Sequence, residues 1–166
     1  AAKSGCQVVC ISTGGKLQSK AEELGYPVWL FKHTGQPRSA VGYSFGLLLA
    51  LFTRLGLVTD LSAEVEGAVG VMTALQEKIK AEVPVLGNPA KRLAGQMIGR
   101  HITVFGSGFM APVARRWKCQ INEVAKAVAS FEALPEADHN TLAGTSNPHD
   151  QLAKELAIFL RAAADH

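Results

Sequence analysis

Two residues suited to acid–base chemistry lie close together in the sequence. Glu123 falls inside a helix-like segment, and His139 follows a short connection through Leu134-Pro135-Glu136. A carboxylate and an imidazole that share one cleft can move protons on a small polar substrate. Spacing alone also allows a structural role, in which Glu123 is a solvated helix residue paired with Arg116 or Lys126 and His139 is a packing or capping residue.

The apolar pattern around Glu123 predicts the helix that positions it. At about 100° per residue, one side of this helix collects the apolar side chains. They are Val113, Trp117, Ile121, Val124 and Val128. Glu123 falls at the edge of that side, beside Arg116 and Gln120, so we expect its carboxylate to be half-sheltered from water. A half-sheltered carboxylate is a reasonable general base.

A third candidate is Arg38, which follows Pro37 immediately before a long apolar helix. Proline restricts the backbone of the turn, so an arginine beside it points in a defined direction. Arginine at such a position can bind a phosphate or stabilise an oxyanion. The alternative is a surface arginine that pairs with a local carboxylate.

Two glycine-containing turns each lie between a predicted strand and a predicted helix, at Ser12–Lys16 and at Gly106–Phe109. Free N–H groups at the start of a helix favour anions, and ligands of open α/β sheets bind outside the carboxyl ends of the strands. Neither turn has a Walker or GxGxxG pattern, so both are equally compatible with simple chain reversal.

Composition indicates an ordinary globular protein. The chain has 166 residues, of which 48% are hydrophobic and 19% charged, and its net charge is +3. The basic residues are scattered, which argues against a nucleic-acid partner. The longest uncharged run, residues 39–53, is too short for a membrane span, so no membrane partner is expected. An odd number of cysteines, three, is typical of a reducing compartment, so we expect a cytoplasmic protein.

Alternating strand and helix patterns predict an α/β protein with parallel sheets. The predicted strands are Gln7–Ile11, Val28–Phe31, His101–Phe105, Ala129–Leu134 and Leu156–Leu160. Helical periodicity is strongest through Leu61 to Ile79, with Asp60 or Ser62 as the candidate cap. We therefore divide the chain into a first domain at 1–58, a connector helix at 59–87 and a second domain at 88–166.

Four strings of this sequence together resemble one family. RRWKCQINEVAK and ALPEADHN are similar to the second sugar-isomerase (SIS) domain of bacterial and archaeal bifunctional phosphoglucose/phosphomannose isomerases, and ISTGGKL and GQPRSAVGYSFGLLLALFTRLGL to the end of the first. They occur in the family's order across nearly the whole chain. The resemblance implies SIS-type doubly wound parallel sheets with flanking helices, the second half of one SIS domain being followed by most of another. Val124 stands where the family usually has asparagine, which we interpret as a change beside the catalytic group.

The resemblance also implies roles for individual residues. Glu123 corresponds to the base that shuttles a proton between C1 and C2, Arg38 to the partner of the enediolate, and His139 to the ring-opening group. Arg38 and Gln120 are expected to bind the substrate, a phosphosugar. In the family this histidine comes from the other subunit, so a homodimer with His139 near the interface is expected. No cofactor is expected and no metal site, since the five histidines lack ligand-like spacing.

Two alternatives remain open. One is a non-catalytic SIS domain that binds a phosphosugar or another carbohydrate derivative, and the other is an α/β domain without a ligand site. Family members also have a phosphate-binding Ser/Thr loop upstream, and a threonine and a lysine downstream. From their absence here we expect the chain to begin and end inside domains.

Overall fold

The computed structural model describes residues 4–163. Two compact units make up the chain, and they divide between Glu66 and Gly67, inside a helix that spans Ser62–Ile79. The domain limits expected from the sequence, at 58/59 and 87/88, remain a prediction, because compactness alone does not define a domain. Within the described range, no helix is both long enough and apolar enough to cross a membrane.

The first unit contains two short parallel strands with a helix between them. Its elements are β1 (Cys10–Ser12), α1 (Gly15–Glu23), β2 (Val28–Leu30), α2 (Val41–Arg54) and the start of α3 (Ser62–Ile79). The first strand was predicted at Gln7–Ile11, but the observed strand is Cys10–Ser12. Only these three residues pair with β2, whose first residue, Val28, lies opposite Cys10. Gln7–Val9 lie outside this ladder.

The start of α3 is fixed by the predicted cap. Asp60 Oδ1 accepts hydrogen bonds from the hydroxyl of Ser62 at 2.6 Å and from its backbone N–H at 3.0 Å. The hydroxyl first, and then the backbone N–H, hold the pKa of Asp60 below its usual value, because both bonds favour the ionised carboxylate. Of the two predicted caps, Asp60 or Ser62, it is Asp60 whose carboxylate accepts the first backbone N–H of this helix.

The second unit contains a three-stranded sheet and most of the remaining helices. Its elements after α3 are α4 (Pro89–Met97), β3 (His101–Ser107), α5 (Met110–Gln120), a π-helical turn (Ile121–Ala125), β4 (Ala129–Leu134), α6 (Glu136–His139), α7 (His149–Leu152) and β5 (Glu155–Leu160). The fully buried Asn88 caps α4, since its Oδ1 accepts from Lys91 N at 3.0 Å and its Nδ2 donates to Lys80 O at 3.1 Å. This side chain ties the end of α3 to the start of α4.

All three strands of this sheet are parallel, in the order β4-β3-β5. The chain winds outward from β3 in both directions, so the predicted doubly wound α/β architecture is confirmed. Ile102 and Val104 of β3 form the core together with Ala114 of α5, Ile121 and Ala129. Each strand turns alternate residues to this core, as the period of two requires.

The buried side of α5 differs from the prediction. Ala114 is 0% exposed, whereas Val124 and Val128 are 64% and 71% exposed. Of the apolar side chains expected to face inward, Ile121 is the buried one. Two causes explain the error. The helix lies so close to the sheet that a small side chain faces it, and the π turn shifts the angular phase after Gln120. Glu123 is consequently exposed and not half-sheltered.

The close approach of α5 to β3 depends on Gly106. A Cβ at this position would lie 2.6 Å from Met110 O and 3.0 Å from Ala114 Cβ. We therefore expect Gly106→Ala to lower the free energy of unfolding by about 1–3 kcal/mol, the usual range for overpacking. Denaturant unfolding of the intact protein measures this change.

Gly95→Ala is the matched control for that substitution. Gly95 lies inside α4, and an added Cβ there meets nothing within 4 Å. Removing glycine from a helix at an open position is expected to stabilise the protein by about 0.4–1 kcal/mol. Equal effects of the two substitutions would contradict the tight contact at Gly106.

Candidate functional site

Glu123 lies in the π-helical turn that ends α5. Lys126 terminates this turn in the left-handed backbone region, with φ of 57°. Its ammonium group donates to the backbone carbonyl of Glu123 at 2.8 Å, and the amide of Asn122 donates to Ala127 O at 2.8 Å. These contacts fix the backbone of the turn, while the side chain of Glu123 extends to the exposed surface. A positioned and accessible carboxylate is suited to taking a proton from a bound molecule.

Gln120 lies at the end of α5, just before the turn that carries Glu123, and is half-buried. Gln120 precedes Glu123 by three residues, and the π turn begins between them.

His139 lies at the end of α6, directly after β4, and is exposed. The connection begins with a cis peptide bond between Leu134 and Pro135. Asn140 Nδ2 donates to Glu136 Oε1 at 2.9 Å, which closes the short helix around the histidine backbone. An exposed imidazole held in this way can exchange protons with a molecule outside its own unit.

Glu123 and His139 lie at opposite edges of the sheet. Since α5 connects two parallel strands, it begins at their carboxyl edge and returns to their amino edge. Glu123 therefore precedes β4, whereas His139 follows it. β4 has six residues, so at about 3.3 Å per residue it separates the two positions by roughly 15–20 Å. One copy of this unit does not bring the two side chains together.

Arg38 belongs to the first unit, where it is half-buried in a 3₁₀ turn, Pro37–Ser39, immediately before α2. The hydroxyl of Ser39 donates to Gln36 O at 2.7 Å and closes the turn. Nearby, Tyr43 stacks on Phe31 with the ring centroids 4.9 Å apart. The rigid turn predicted before a helix is therefore present, with Arg38 at its centre.

Both glycine turns lie where the sequence predicted them. In the first, Gly14 N donates to Ser12 Oγ at 3.1 Å and α1 begins at Gly15. In the second, β3 ends at Ser107, and Gly108 takes a positive φ of 48° before α5. This second turn lies at the carboxyl edge of the central strand, from which the chain passes to β4 on one side and later returns to β5 on the other. This is the usual ligand position in open α/β sheets.

Sequence reasoning missed a polar cluster around His101. This histidine was considered only as a metal ligand, yet its two ring nitrogens contact Glu155 and Ser130 from the neighbouring strands. The signal available in the sequence was the alternation in His101-Ile102-Thr103-Val104, which places a histidine and a threonine on the side opposite the core. Among residues 4–163, no group of three or more His, Cys, Asp and Glu side chains is arranged to hold a metal ion.

Comparison with known proteins gives one consistent family. Residues 86–166 match the bacterial phospho-glucose isomerase C-terminal SIS domain. The chain is 39% identical over 163 residues to a bifunctional phosphoglucose/phosphomannose isomerase of Caldicellulosiruptor bescii, an alignment that covers 98% of this chain and 48% of the relative. It is 34% identical over 144 residues to a protein of the same name from Aquifex aeolicus, covering 87% of this chain and 41% of the relative.

A third relative has a different name. The D-glucosamine-6-phosphate 4-epimerase of Sulfolobus acidocaldarius is 30% identical over 136 residues, covering 82% of this chain and 41% of the relative. No solved structure matches the chain significantly. The chain thus spans about half the length of the curated relatives it matches.

The parallel, helix-flanked sheet, the match to the C-terminal SIS domain and the two isomerase relatives agree with the resemblance of the sequence motifs. The chain belongs to the SIS-domain sugar isomerases, in the family of the bifunctional phosphoglucose/phosphomannose isomerases.

Proposed function

We propose that this chain provides part of the active site of an aldose–ketose isomerase that interconverts glucose 6-phosphate and mannose 6-phosphate with fructose 6-phosphate. The observation that carries the proposal is the placement of Glu123, an exposed carboxylate on a backbone fixed by Lys126 and Asn122. π turns inside helices are frequent at functional sites, which supports a role beyond packing. The names of the two isomerase relatives support the substrate class.

The proposed mechanism needs no metal. Glu123 removes the proton from C2 of the open-chain aldose phosphate and returns it to C1, while a second proton passes between the oxygens on these carbons. The negative charge of the intermediate enediolate is stabilised by the guanidinium of Arg38. His139 donates a proton to the ring oxygen as the sugar ring opens, and Gln120 orients the substrate.

We further propose that the enzyme acts as a homodimer. The separation of Glu123 and His139 across β4 supports this, because an active site that uses both side chains has to take them from two copies of the chain. Symmetric dimers are the commonest soluble oligomers, and each dimer then contains two equivalent sites.

A second candidate function is 4-epimerisation of an aminosugar phosphate. The relative from Sulfolobus acidocaldarius favours it, since that protein is named for this reaction on D-glucosamine 6-phosphate. Inversion at C4 is a different chemical problem from proton transfer between C1 and C2, so substrate tests separate the two functions. A non-catalytic SIS domain that only binds a phosphosugar is the third outcome.

An assay of the intact protein after treatment with a chelator tests these functions. With fructose 6-phosphate as substrate, we expect both glucose 6-phosphate and mannose 6-phosphate to form, with rates unchanged by the chelator. Glucosamine 6-phosphate is supplied in a parallel reaction, and its 4-epimer is the product to detect. Epimer formation without aldose–ketose conversion would replace the isomerase by the epimerase, and phosphosugar binding without any turnover would leave the binding domain.

A further inference from the structure

A hydrogen-bonded series of a serine, a histidine and a glutamate crosses the three strands of the second sheet. The Nε2 atom of His101 lies 3.1 Å from Ser130 Oγ, and its Nδ1 atom lies 2.7 Å from Glu155 Oε2. Thr103 donates its hydroxyl to the other oxygen of the same carboxylate. Ser130 lies on β4, His101 on the central strand β3 and Glu155 on β5.

Strand register brings these residues together. His101 is directly opposite Glu155 on β5, and Thr103 is directly opposite Ser130 on β4. Since Ile102 faces the core, its two neighbours in β3 face the other side of the sheet. The partners of His101 are 29 and 54 positions away in the chain, so only the folded sheet unites them.

This order of contacts is that of a nucleophilic triad. A carboxylate that accepts from Nδ1–H fixes the tautomer in which Nε2 carries a lone pair. That lone pair can accept the proton of the serine hydroxyl and thereby activate its oxygen. Thr103 contributes by holding the second oxygen of Glu155 in place, so both ends of the carboxylate are oriented.

We propose that Ser130, His101 and Glu155 form a second reactive site, which hydrolyses small activated esters. The series lies on the side of the sheet opposite the core and α5, and Ser130 is half-buried.

Two members of the series are partly exposed. The side chains of His101 and Glu155 are 37% and 30% exposed. The core itself lies on the opposite side of the sheet, around Ile102 and Val104. Substitutions of the polar residues therefore remove few apolar contacts.

The reaction consists of two balanced steps. Ser130 Oγ attacks the carbonyl carbon of the ester as its proton passes to His101 Nε2, and the leaving alcohol departs with that proton, which leaves an acyl-serine. Water then gives one proton to His101 Nε2 as its oxygen attacks the acyl carbon. Breakage of the bond to Ser130 releases the carboxylic acid, and the histidine returns the proton to the serine oxygen. No oxidant or reductant is required.

The same chain contains an internal comparison. In the first unit, Ser39 Oγ lies 3.3 Å from His33 Nε2, but this hydroxyl donates to Gln36 O at 2.7 Å. Its proton is therefore committed to a carbonyl, and the pair is expected to be unreactive. The proposed second site also shares no residue with Glu123, His139, Arg38 or Gln120, so it stands independently of the isomerase proposal.

Covalent labelling of the intact protein with a fluorophosphonate, followed by peptide mass spectrometry, tests the proposal. We expect the label on Ser130 and none on Ser39. We also expect the protein to hydrolyse 4-nitrophenyl acetate, and the rate to fall about 10²-fold or more in Ser130→Ala and in His101→Gln. The label itself requires no variant, so the test holds even if a variant unfolds.

Two results would overturn the inference. One is an unlabelled Ser130 in the wild-type protein. The other is equal labelling of Ser130 and Ser39, which would show that the series does not activate its serine.

Discussion

Replacing Glu123 with glutamine is expected to slow isomerisation by about 10²–10⁴-fold while leaving phosphosugar affinity nearly unchanged, because the amide keeps the shape of the side chain but cannot take up a proton. The loss should appear in kcat more than in KM. Glu123 is exposed, and it lies in a turn whose backbone is fixed by other residues, so the substitution should not disturb folding. Steady-state kinetics with fructose 6-phosphate, together with a binding titration, measure both quantities.

Glu64→Gln is the matched control. Glu64 is also exposed and also on a helix, in the first turn of α3, and the same change in charge there should leave isomerisation at the wild-type rate. Near-normal turnover of Glu123→Gln would remove Glu123 from the role of shuttling base. Equal loss in both variants would point to an effect of net charge and not to catalysis.

The sequence predicted the second sheet well because its strands have strong local signals. β4 has the bounds predicted, Ala129–Leu134, and β3 and β5 begin within one residue of their predicted starts. Buried parallel strands form apolar runs that are bounded by turn residues, so local composition is sufficient to find them. The first sheet has only short strands, and there the start of β1 was placed three residues too early.

The burial of α5 could not be read from periodicity. This helix has one side with small residues and another with bulky apolar residues. Periodicity alone predicts that the bulky apolar side is buried. The sheet contacts the small side, at Ala114, since Gly106 lets the backbones approach closely. A π turn within the helix adds a phase shift that a fixed angle of 100° per residue cannot represent.

For the candidate site too, some features could be predicted from the sequence and others depended on the fold. Residue types and a family resemblance pointed to Glu123, His139 and Arg38, whose roles no structural observation tests. Their relative placement required the topology, because the direction of α5 decides which edge of the sheet Glu123 occupies. The contact of His101 with Ser130 and Glu155 was out of reach for the sequence, since strand register decides which distant residues become neighbours.

The positions of Glu123 and His139 lead to the second large prediction. If the homodimer proposed above places His139 of one copy beside Glu123 of the other, each of the two sites mixes residues from both copies. A dimer of one Glu123→Gln copy and one His139→Ala copy then has one site with both changes and one site with neither. Both parent variants are expected to be nearly inactive, whereas the mixed dimer should recover about half of the wild-type activity.

Co-expression of the two variants with different affinity tags, followed by purification through both tags, gives the mixed dimer for a fructose 6-phosphate assay. The control is a doubly tagged dimer in which both copies carry Glu123→Gln, and it should stay inactive. Recovery in the mixed dimer alone requires that one site takes its carboxylate and its imidazole from different copies, as we propose from their placement at opposite edges of the sheet. No recovery, with an inactive His139→Ala parent, would mean that both residues serve a site within one copy, and the separation across β4 would then have to close by a rearrangement of the second unit.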